Sequence, residues 1–408
     1  MSAPRVYFPG LNGLRFFAAF AVVVTHVELM KKYMGYNNQW INPEPVVTQY
    51  PLHHIQSGEL TWLQPLVAAL GPLGVVFFFV LSGFLITYLL LVEREQAGFI
   101  SVKNFYLRRI FRIWPLYYLL FILGFFVLPH IDFFYVSGQT EQLKEHFWGN
   151  FWSYLFIFPN LGFAMYEAAV PNIGQSWSIG VEEQFYLIWP LIIRYFKKPL
   201  HAIVWVTVIL LIVKAGVVLS YQHYNPHWLL VVKKFLAMSK IECMTIGALG
   251  AWLLYYKKDH ILKVIRSMPA QILSYSGIVA LIFLTPAFIQ DGIHLVYGVL
   301  FLIVIINVST NPSSVVKLEN KVFDLLGKIS YGIYMYHLVV ITFVLHAFHW
   351  LFPEIQHLGI MQGLALYIIC TLLTIFVSWA SYTWFEHRFI RMKHKFSKVI
   401  SGDEAKQA

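Results

Sequence analysis

The chain has 408 residues and a formal net charge of +10 at pH 7. Hydrophobic residues make up 58% of it and charged residues only 12%, which is about half the charged share of an ordinary soluble domain. This composition excludes a soluble globular protein. Apolar segments recur from end to end with no polar block between them, so we predict one polytopic membrane domain over residues 1–400 and a polar tail at 401–408.

The basic residues lie in short runs between apolar segments and form no basic domain. This is the positive-inside pattern of membrane proteins, so we do not expect nucleic-acid binding. The only two cysteines, Cys243 and Cys370, lie inside apolar runs without the spacing of a metal or redox pair. The first apolar run is too long for a signal-peptide core and lacks a small-residue cleavage site, so we interpret it as a membrane helix of the mature protein.

A spanning helix needs about 20 mainly apolar residues. A further stretch, 151–163, is aromatic-rich and contains Pro159, and we interpret it as re-entrant or interfacial. The sequence therefore predicts an all-α integral membrane protein with about ten transmembrane helices in one bundle. The ten candidate spans are 11–30, 66–92, 113–129, 177–196, 202–219, 241–256, 271–288, 293–309, 329–350 and 361–385.

Basic runs follow every even-numbered span, which predicts that both termini are cytoplasmic. The alternation holds only if segment 151–163 does not cross. One cluster disagrees, because Lys233, Lys234 and Lys240 fall in a loop assigned to the outside. The supporting residues are Arg94, Lys103, Arg108, Arg109 and Arg112; Arg194, Lys197 and Lys198; Lys257, Lys258, Lys263 and Arg266; Lys317, Lys321 and Lys328; and Arg388, Arg391, Lys393, Lys395 and Lys398.

The first span carries an arginine and a histidine on one face. Arg15 and His26 are eleven positions apart, which is three helical turns with about 20° of drift and an axial separation of about 16 Å. Ionisable residues inside spans are costly and are functional candidates by default. The alternative is an arginine that reaches the interface and a histidine satisfied by hydrogen bonds inside the bundle.

The third span begins with the stretch "FYLRRIFRIWPLYY". Arg109 and Arg112 are spaced i, i+3, so a helix places their guanidinium groups side by side. Arginine binds phosphate in a bidentate manner, so with Arg15 they predict a cationic mouth for a phosphorylated cytosolic molecule. Membrane anchoring alone is the alternative. The chain has no P-loop motif, which argues against ATP-driven chemistry of that type.

The fourth span begins with "SWSIGVEEQFYLIWPLI". Ser178, Glu182 and Tyr186 are spaced i, i+4 and share one helix face. We expect Glu182 near the outer end of its span, as we expect of His26, where a carboxylate would orient the imidazole and raise its basicity. The alternative is that the glutamates only cap the start of the helix.

Other polar residues favour structural interpretations. Tyr334 and His337, at i, i+3 in the ninth span, favour a buried, hydrogen-bonded histidine. Ser82–Gly83 favours close helix packing, and Glu386 with Arg388 favours an interfacial ion pair. We expect no metal site, because two histidine pairs near outer loops lack carboxylate or cysteine companions: His53–His54 and His346 with His349.

Five motifs together resemble the membrane-bound acyltransferase 3 family, the bacterial O-acyltransferases of cell-surface glycans. They occur in this order: "LNGLRFFAAFAVVVTH", "FFFVLSGFLIT", "FYLRRIFRIWPLYY", "SWSIGVEEQFYLIWPLI" and "ISYGIYMYHLVV". The resemblance implies a ten-helix core, an acyl-CoA donor from the cytoplasm and an acceptor hydroxyl on a sugar. It also implies the inner membrane of a bacterium as the location.

The resemblance also implies roles for particular residues. Arg15 and His26 match the Arg-x10-His element of the family, Arg109 and Arg112 match its Arg-x-x-Arg element, and Glu182 falls on its acidic position. The family often ends with Glu-x-Pro, whereas this chain reads Glu-His-Arg at 386–388, so the resemblance assigns that segment no role. Some members add a soluble esterase-like domain, and we expect none after the tenth span.

These observations give one mechanistic hypothesis. The three arginines hold the CoA phosphates, His26 acts as general base on the acceptor hydroxyl, typically worth 10²–10⁴-fold, and Glu182 orients it. A covalent acyl-histidine is the alternative to direct transfer. The developing oxyanion needs a donor, which the sequence leaves open among Tyr186, Ser178 and Trp177. Tyr334 and His337 are further residues expected near this site.

The expected partners are acyl-CoA as co-substrate, a carbohydrate acceptor and the lipid bilayer, with a homodimer left open and no permanently bound cofactor. The rival function is a transporter or flippase that uses the same buried polar residues. It predicts inverted repeats, and the sequence contains no evident repeat. A pH-sensing membrane protein is a third class, but it does not require three arginines at one mouth.

The predicted orientation is testable by reporter fusion. A cytoplasm-active reporter joined after Ser401 should be active, because each even-numbered span ends on a basic run. Activity of an externally active reporter at the same position would contradict the orientation and the placement of the arginines.

Overall fold

The computed structural model describes residues 5–38, 63–167, 169–284, 292–355, 357–397, 399–402 and 405. These residues are mainly helical. The α-helices are α1 (Leu11–Tyr33), α2 (Gln64–Ala97), α3 (Val102–Ile122), α4 (Gln139–Glu145), α5 (Phe147–Leu155), α6 (Pro159–Tyr166), α7 (Ser176–Tyr195), α8 (Pro199–Tyr224), α9 (His227–Met238), α10 (Ile241–Tyr255), α11 (Asp259–Ile265), α12 (Met268–Leu284), α13 (Ile293–Thr310), α14 (Lys321–Lys328), α15 (Ser330–Leu351), α16 (Ile360–Ser381) and α17 (His387–Lys393).

Two pairs of very short parallel strands tie distant parts of the chain together. β1 (Arg5–Val6) pairs with β4 (Ile400–Ser401), and β2 (Asn37–Asn38) pairs with β3 (His357–Leu358). The first pairing places residues 5–6 and 400–401 on the same side of the bundle. That this side is cytoplasmic stays a prediction.

Seven helical segments of the described residues are long and apolar enough to cross a membrane. An eighth is added if α11 and α12, which meet at a bend of 54°, form one span. The predicted count of about ten is therefore not confirmed. The seven are Leu11–Tyr33, Gln64–Ala97, Val102–His130, Pro199–Tyr224, Ile293–Thr310, Ser330–Leu351 and Ile360–Lys393.

All ten predicted spans nevertheless correspond to helices, and the differences in count have physical reasons. Helix α10 has 15 residues, so its length of about 22 Å falls short of a hydrocarbon core of about 30 Å. Helix α7 has 20 residues but carries Glu182, Glu183 and Gln184 in succession, which makes it too polar. The predicted span 271–288 ends among residues outside the described ones.

Segment 151–163 does not form one continuous helix. It covers the end of α5 and the start of α6, which have 9 and 8 residues. The chain turns between them, where Ile157 adopts a φ of 62°. Neither helix has the length of a span.

Helix α2 lies at the centre of the bundle and packs against α1, α7, α10 and α13. Its crossing with α10 is very close: a Cβ atom at Gly83 would lie 1.9 Å from the carbonyl oxygen of Met244, and one at Gly247 would lie 1.9 Å from that of Val80. This confirms the packing role predicted for Gly83 and fixes the rotation of α2 about its own axis.

We predict that Gly83→Ala destabilises the protein by about 1–3 kcal/mol, because the added methyl meets a backbone atom that cannot move aside. The matched control is Gly216→Ala in α8, where no atom of the described residues, apart from the backbone of the same helix, lies within 4 Å of the added Cβ and alanine is the better helix former. Thermal unfolding in detergent measures both. Equal unfolding temperatures for the two variants would contradict the close crossing.

Candidate functional site

Five helices enclose a cavity of about 810 Å³, a volume that includes its open mouth. Helices α1, α2, α3, α7 and α15 each contribute side chains to its lining. Seven of the ten site residues predicted from the sequence lie on this one cavity. They are Arg15, Arg109, Arg112, Ser178, Glu182, Tyr186 and Tyr334.

The three arginines reach the cavity from α1 and α3. The Arg109 guanidinium carbon lies 5.7 Å from the centroid of the Tyr186 ring and 5.8 Å from that of Phe105, close enough for cation–π attraction. Its buried Nε atom has no hydrogen-bond partner among the described residues. Arg15 donates from Nη1 to Asn12 Oδ1 at 3.3 Å. The cavity therefore has a strongly cationic side with a guanidinium donor still available.

Glu182 faces α2 and is held there by two hydroxyl groups. Ser82 Oγ donates to Oε1 at 3.0 Å, and the Tyr186 hydroxyl donates to Oε2 at 3.0 Å. The Tyr186 hydroxyl also lies 3.0 Å from Ser82 Oγ, so the three side chains form one compact polar group. The expected contact between Glu182 and His26 is absent from the described contacts, because α7 directs the carboxylate towards α2 while His26 faces α15.

The imidazole that contacts His26 is His337. The two ring centroids lie 4.8 Å apart with an interplanar angle of 55°. His26 Nδ1 lies 2.9 Å from Val22 O, and His337 Nδ1 lies 2.6 Å from Tyr334 O. Because a carbonyl oxygen only accepts, Nδ1 carries the hydrogen in both rings, and each Nε2 presents its lone pair.

Tyr334 forms the wall between the cavity and the histidine pair. Its hydroxyl lies 2.5 Å from Ser178 Oγ and 3.2 Å from the backbone oxygen of Gln175, while its ring lies 5.8 Å from the His337 ring. Trp177, the remaining predicted residue, packs edge-on against Phe79 and does not line the cavity. His26 and His337 likewise do not belong to the cavity lining.

Three polar residues of the site were missed or given another role in the sequence analysis. Ser82 was interpreted only as a packing residue, yet it bonds Glu182. Glu183 accepts a hydrogen bond from Trp114 Nε1 at 3.0 Å, and only its position beside Glu182 hinted at this.

Glu386 is also part of this region, and the predicted ion pair with Arg388 is wrong. The carboxylate is buried at the end of a π-helical turn, Tyr382–Glu386. It accepts a hydrogen bond from Ser381 Oγ at 3.1 Å, and the positive charge of Arg112 acts on it. The π-turn rotates Glu386 inwards, and sequence spacing along a regular α-helix does not anticipate that rotation.

Within the described part of the chain, no group of three His, Cys, Asp or Glu side chains is arranged to hold a metal ion. His346 Nε2 bonds the backbone oxygen of Tyr135 at 2.8 Å. The pair His53–His54 lies outside the described residues.

A family model described as an acyltransferase domain matches residues 8–383. The chain belongs to the acyltransferase 3 family. The O-acetyltransferase OatA of Staphylococcus aureus strain NCTC 8325 / PS 47 is 28% identical over 359 residues, which cover 84% of this chain and 52% of that protein. OatA of strain COL matches to the same extent. The chain thus spans about half the length of these relatives. No solved structure matches it.

Proposed function

We propose that this multi-pass membrane protein is an O-acyltransferase. It moves an acyl group, acetyl by default, from acyl-CoA to a hydroxyl of a cell-surface or lipid-linked sugar. Membership of the acyltransferase family supports acyl transfer, and the names of the relatives support an O-linked acetyl group. The observation that carries the proposal is the cavity with three arginines on its lining and, behind its Tyr334 wall, a pair of facing histidines.

The cationic side of the cavity suits the CoA end of the donor. CoA carries its phosphates at one end and its thiol at the other, and arginine pairs with phosphate through charge-assisted hydrogen bonds. The unpartnered Arg109 Nε is a donor in need of an acceptor. Arg15 and His26 are separated by about 16 Å along α1. The extended pantetheine arm bridges this distance, so phosphates near Arg15 bring the thioester towards His26.

The histidine pair suits the thioester end of acyl-CoA, from which the acyl group is transferred. The acceptor hydroxyl gives its proton to His26 Nε2 while its oxygen attacks the thioester carbonyl. A C–O bond forms, the C–S bond breaks, and the proton passes to the departing CoA sulfur. Negative charge develops on the carbonyl oxygen and requires hydrogen-bond donors. We assign this role to the Ser178 and Tyr334 hydroxyls, which bond each other on the cavity lining, because the Tyr334 ring lies 5.8 Å from the His337 ring.

Glu182 acts at the donor side in this proposal. Its oxygens are occupied by Ser82 and Tyr186, and the charges of Arg109 and Arg112 act on it. A carboxylate in that place offsets part of the repulsion between neighbouring guanidinium groups and fixes their positions before CoA arrives.

The orientation of the reaction follows from the expected topology. The arginines face the cytosol, where acyl-CoA is found, and the acceptor reaches the histidines from the opposite side. The resemblance to bacterial glycan acyltransferases supports a location in the cytoplasmic membrane of a bacterium, which is part of this proposal.

The donor site predicts a specific loss of affinity. Arg112→Ala should weaken binding of acetyl-CoA about 10-fold or more, as expected for a lost hydrogen bond to a charged group. Arg112→Lys should restore only part of the affinity, since lysine lacks the planar fork. Arg391→Ala, at an exposed arginine of α17, is the control. Isothermal titration of the purified protein with acetyl-CoA measures all three, and unchanged affinity in Arg112→Ala would refute the site.

The proposed role of His26 as general base predicts that its loss lowers the rate of transfer and not the affinity for acetyl-CoA. His26→Ala should lower the rate of acyl transfer by about 10²-fold or more and leave acetyl-CoA affinity unchanged, because the phosphates are held elsewhere. His201→Ala, at an exposed histidine of α8, should behave like the parent. The assay follows isotope-labelled acetyl from acetyl-CoA into the glycan fraction of membranes. Near-parent transfer by His26→Ala would show that the histidine is only a core residue.

A further inference from the structure

The general base proposed above, His26, has no carboxylate partner among the residues that the structure describes. Protonation of His26 creates a cation inside a helix bundle, and such a charge is costly unless a neighbour accepts a hydrogen bond from it. Glu182 is occupied by Ser82 and Tyr186. Glu28, two positions along α1, pairs with Lys31 at 2.7 Å and accepts from the Tyr367 hydroxyl at 2.5 Å. Among the described contacts, no carboxylate bonds the His26 imidazole.

His337, the histidine in contact with His26, has a buried ring nitrogen without a hydrogen-bond partner among the described residues. Its side chain is fully buried, with 0% of its surface exposed, and its Nε2 atom has no hydrogen-bond partner within the described residues. Nδ1 is committed to Tyr334 O at 2.6 Å, so Nε2 carries a lone pair without a donor. An unsatisfied buried acceptor costs free energy in the resting protein, and such atoms call for a functional explanation.

We propose that His337 is a positioning residue whose Nε2 accepts a hydrogen bond from protonated His26. The inference rests on the acyltransferase function proposed above. During the reaction the acceptor hydroxyl loses its proton to His26. The resulting Nε2–H still points towards the reacting oxygen, and the His337 lone pair shares it as a second acceptor until the proton leaves with the CoA sulfur, while the C–O bond forms and the C–S bond breaks. The ring separation of 4.8 Å places the two imidazoles in contact.

The surroundings of the pair assign this task to His337. The Ser178 hydroxyl of α7 and the Tyr334 hydroxyl of α15 bond each other. Glu28, the carboxylate of α1, is paired with Lys31 and accepts a hydrogen bond from Tyr367 of α16. Among the described residues, the rings in contact with His337 are those of His26 and Tyr334.

A purely structural role for His337 would use the other nitrogen. In that case the bond from Nδ1 to Tyr334 O would be its whole contribution, since it holds the wall of the cavity. Two substitutions separate the nitrogens. The side-chain amide of asparagine reaches the position of Nδ1 and leaves that of Nε2 empty, whereas the longer glutamine carries its amide to the position of Nε2.

The experiment compares His337→Gln and His337→Asn in membrane vesicles that contain the full chain. Transfer of isotope-labelled acetyl from acetyl-CoA to the glycan fraction gives kcat and the KM for acetyl-CoA. We expect His337→Asn to lose about 10- to 100-fold in kcat, the value of a hydrogen bond to a charged group, with KM unchanged. His337→Gln should keep a larger share of kcat. His346→Asn, a histidine on the same helix that bonds Tyr135 O, is the control and should match the parent.

The outcomes separate this inference from the function on which it rests. Asparagine retaining as much kcat as glutamine, or both retaining the parent value, would overturn the role of Nε2 and leave the acyltransferase function standing. A parent protein that transfers no label would overturn the function itself and the inference with it. If His337→Asn does not insert, His337→Leu takes its place, because leucine fills the site without any polar atom. It should lose as much kcat as expected for asparagine, and parent-like kcat in this variant would refute the proposal.

Discussion

A charge that leaves water for the interior of a helix bundle must be paired or hydrogen-bonded, and this constraint organises the protein. Away from the cavity, buried carboxylates are matched by cations. Examples are Glu28 with Lys31 at 2.7 Å, Glu93 with Arg108 at 2.8 Å and Glu242 with Lys214 at 2.6 Å. At the cavity the pattern changes. The bonds to Glu182 come from neutral hydroxyls, and guanidinium charge stays available to a ligand. A cationic cavity within an otherwise matched interior is what binding of a phosphorylated donor requires.

The fit of the polar groups depends on close helix packing. Gly83 and Gly247 let α2 and α10 approach until their backbones touch. This contact fixes the rotation of α2 about its axis, and Ser82, the residue before Gly83, then points at Glu182 and Tyr186. Replacing one small residue with a larger one would therefore disturb the packing first and the carboxylate second. Packing and chemistry are coupled through two adjacent positions of one helix.

The sequence predicted the helices and most of the cavity well. The composition indicates an integral membrane protein, and helical spacing correctly grouped Ser178, Glu182 and Tyr186 on one face. The span count was less reliable because hydropathy measures the length and polarity of a segment and not its surroundings. The short helix α10, packed along α2, is apolar because protein covers it. Orientation relative to the cytoplasm depends on basic runs alone and stays a prediction.

Contacts between side chains of different helices could not be predicted from the sequence. Which side chain meets His26 depends on how α1 and α15 are rotated and how deeply each is inserted, and one sequence constrains neither. The partner was therefore taken to be a carboxylate, the commonest choice, whereas the structure places His337 there. Glu386 was misplaced for a related reason, since a π-turn changes its direction. Neither residue has unusual spacing in the sequence. The position of the side chain depends on a neighbouring helix for His26 and on the local π-turn for Glu386.

Acyl transfer to a surface sugar is the proposed activity on which the roles of the cavity and of the histidine pair depend. Mass spectrometry of surface glycans from cells with and without the protein tests it most directly, with cells that carry His26→Ala as a third sample. We expect glycan species heavier by one acyl group only in the cells that carry the parent protein. Identical glycan spectra from cells with and without the protein, with the protein present in the membrane, would contradict it.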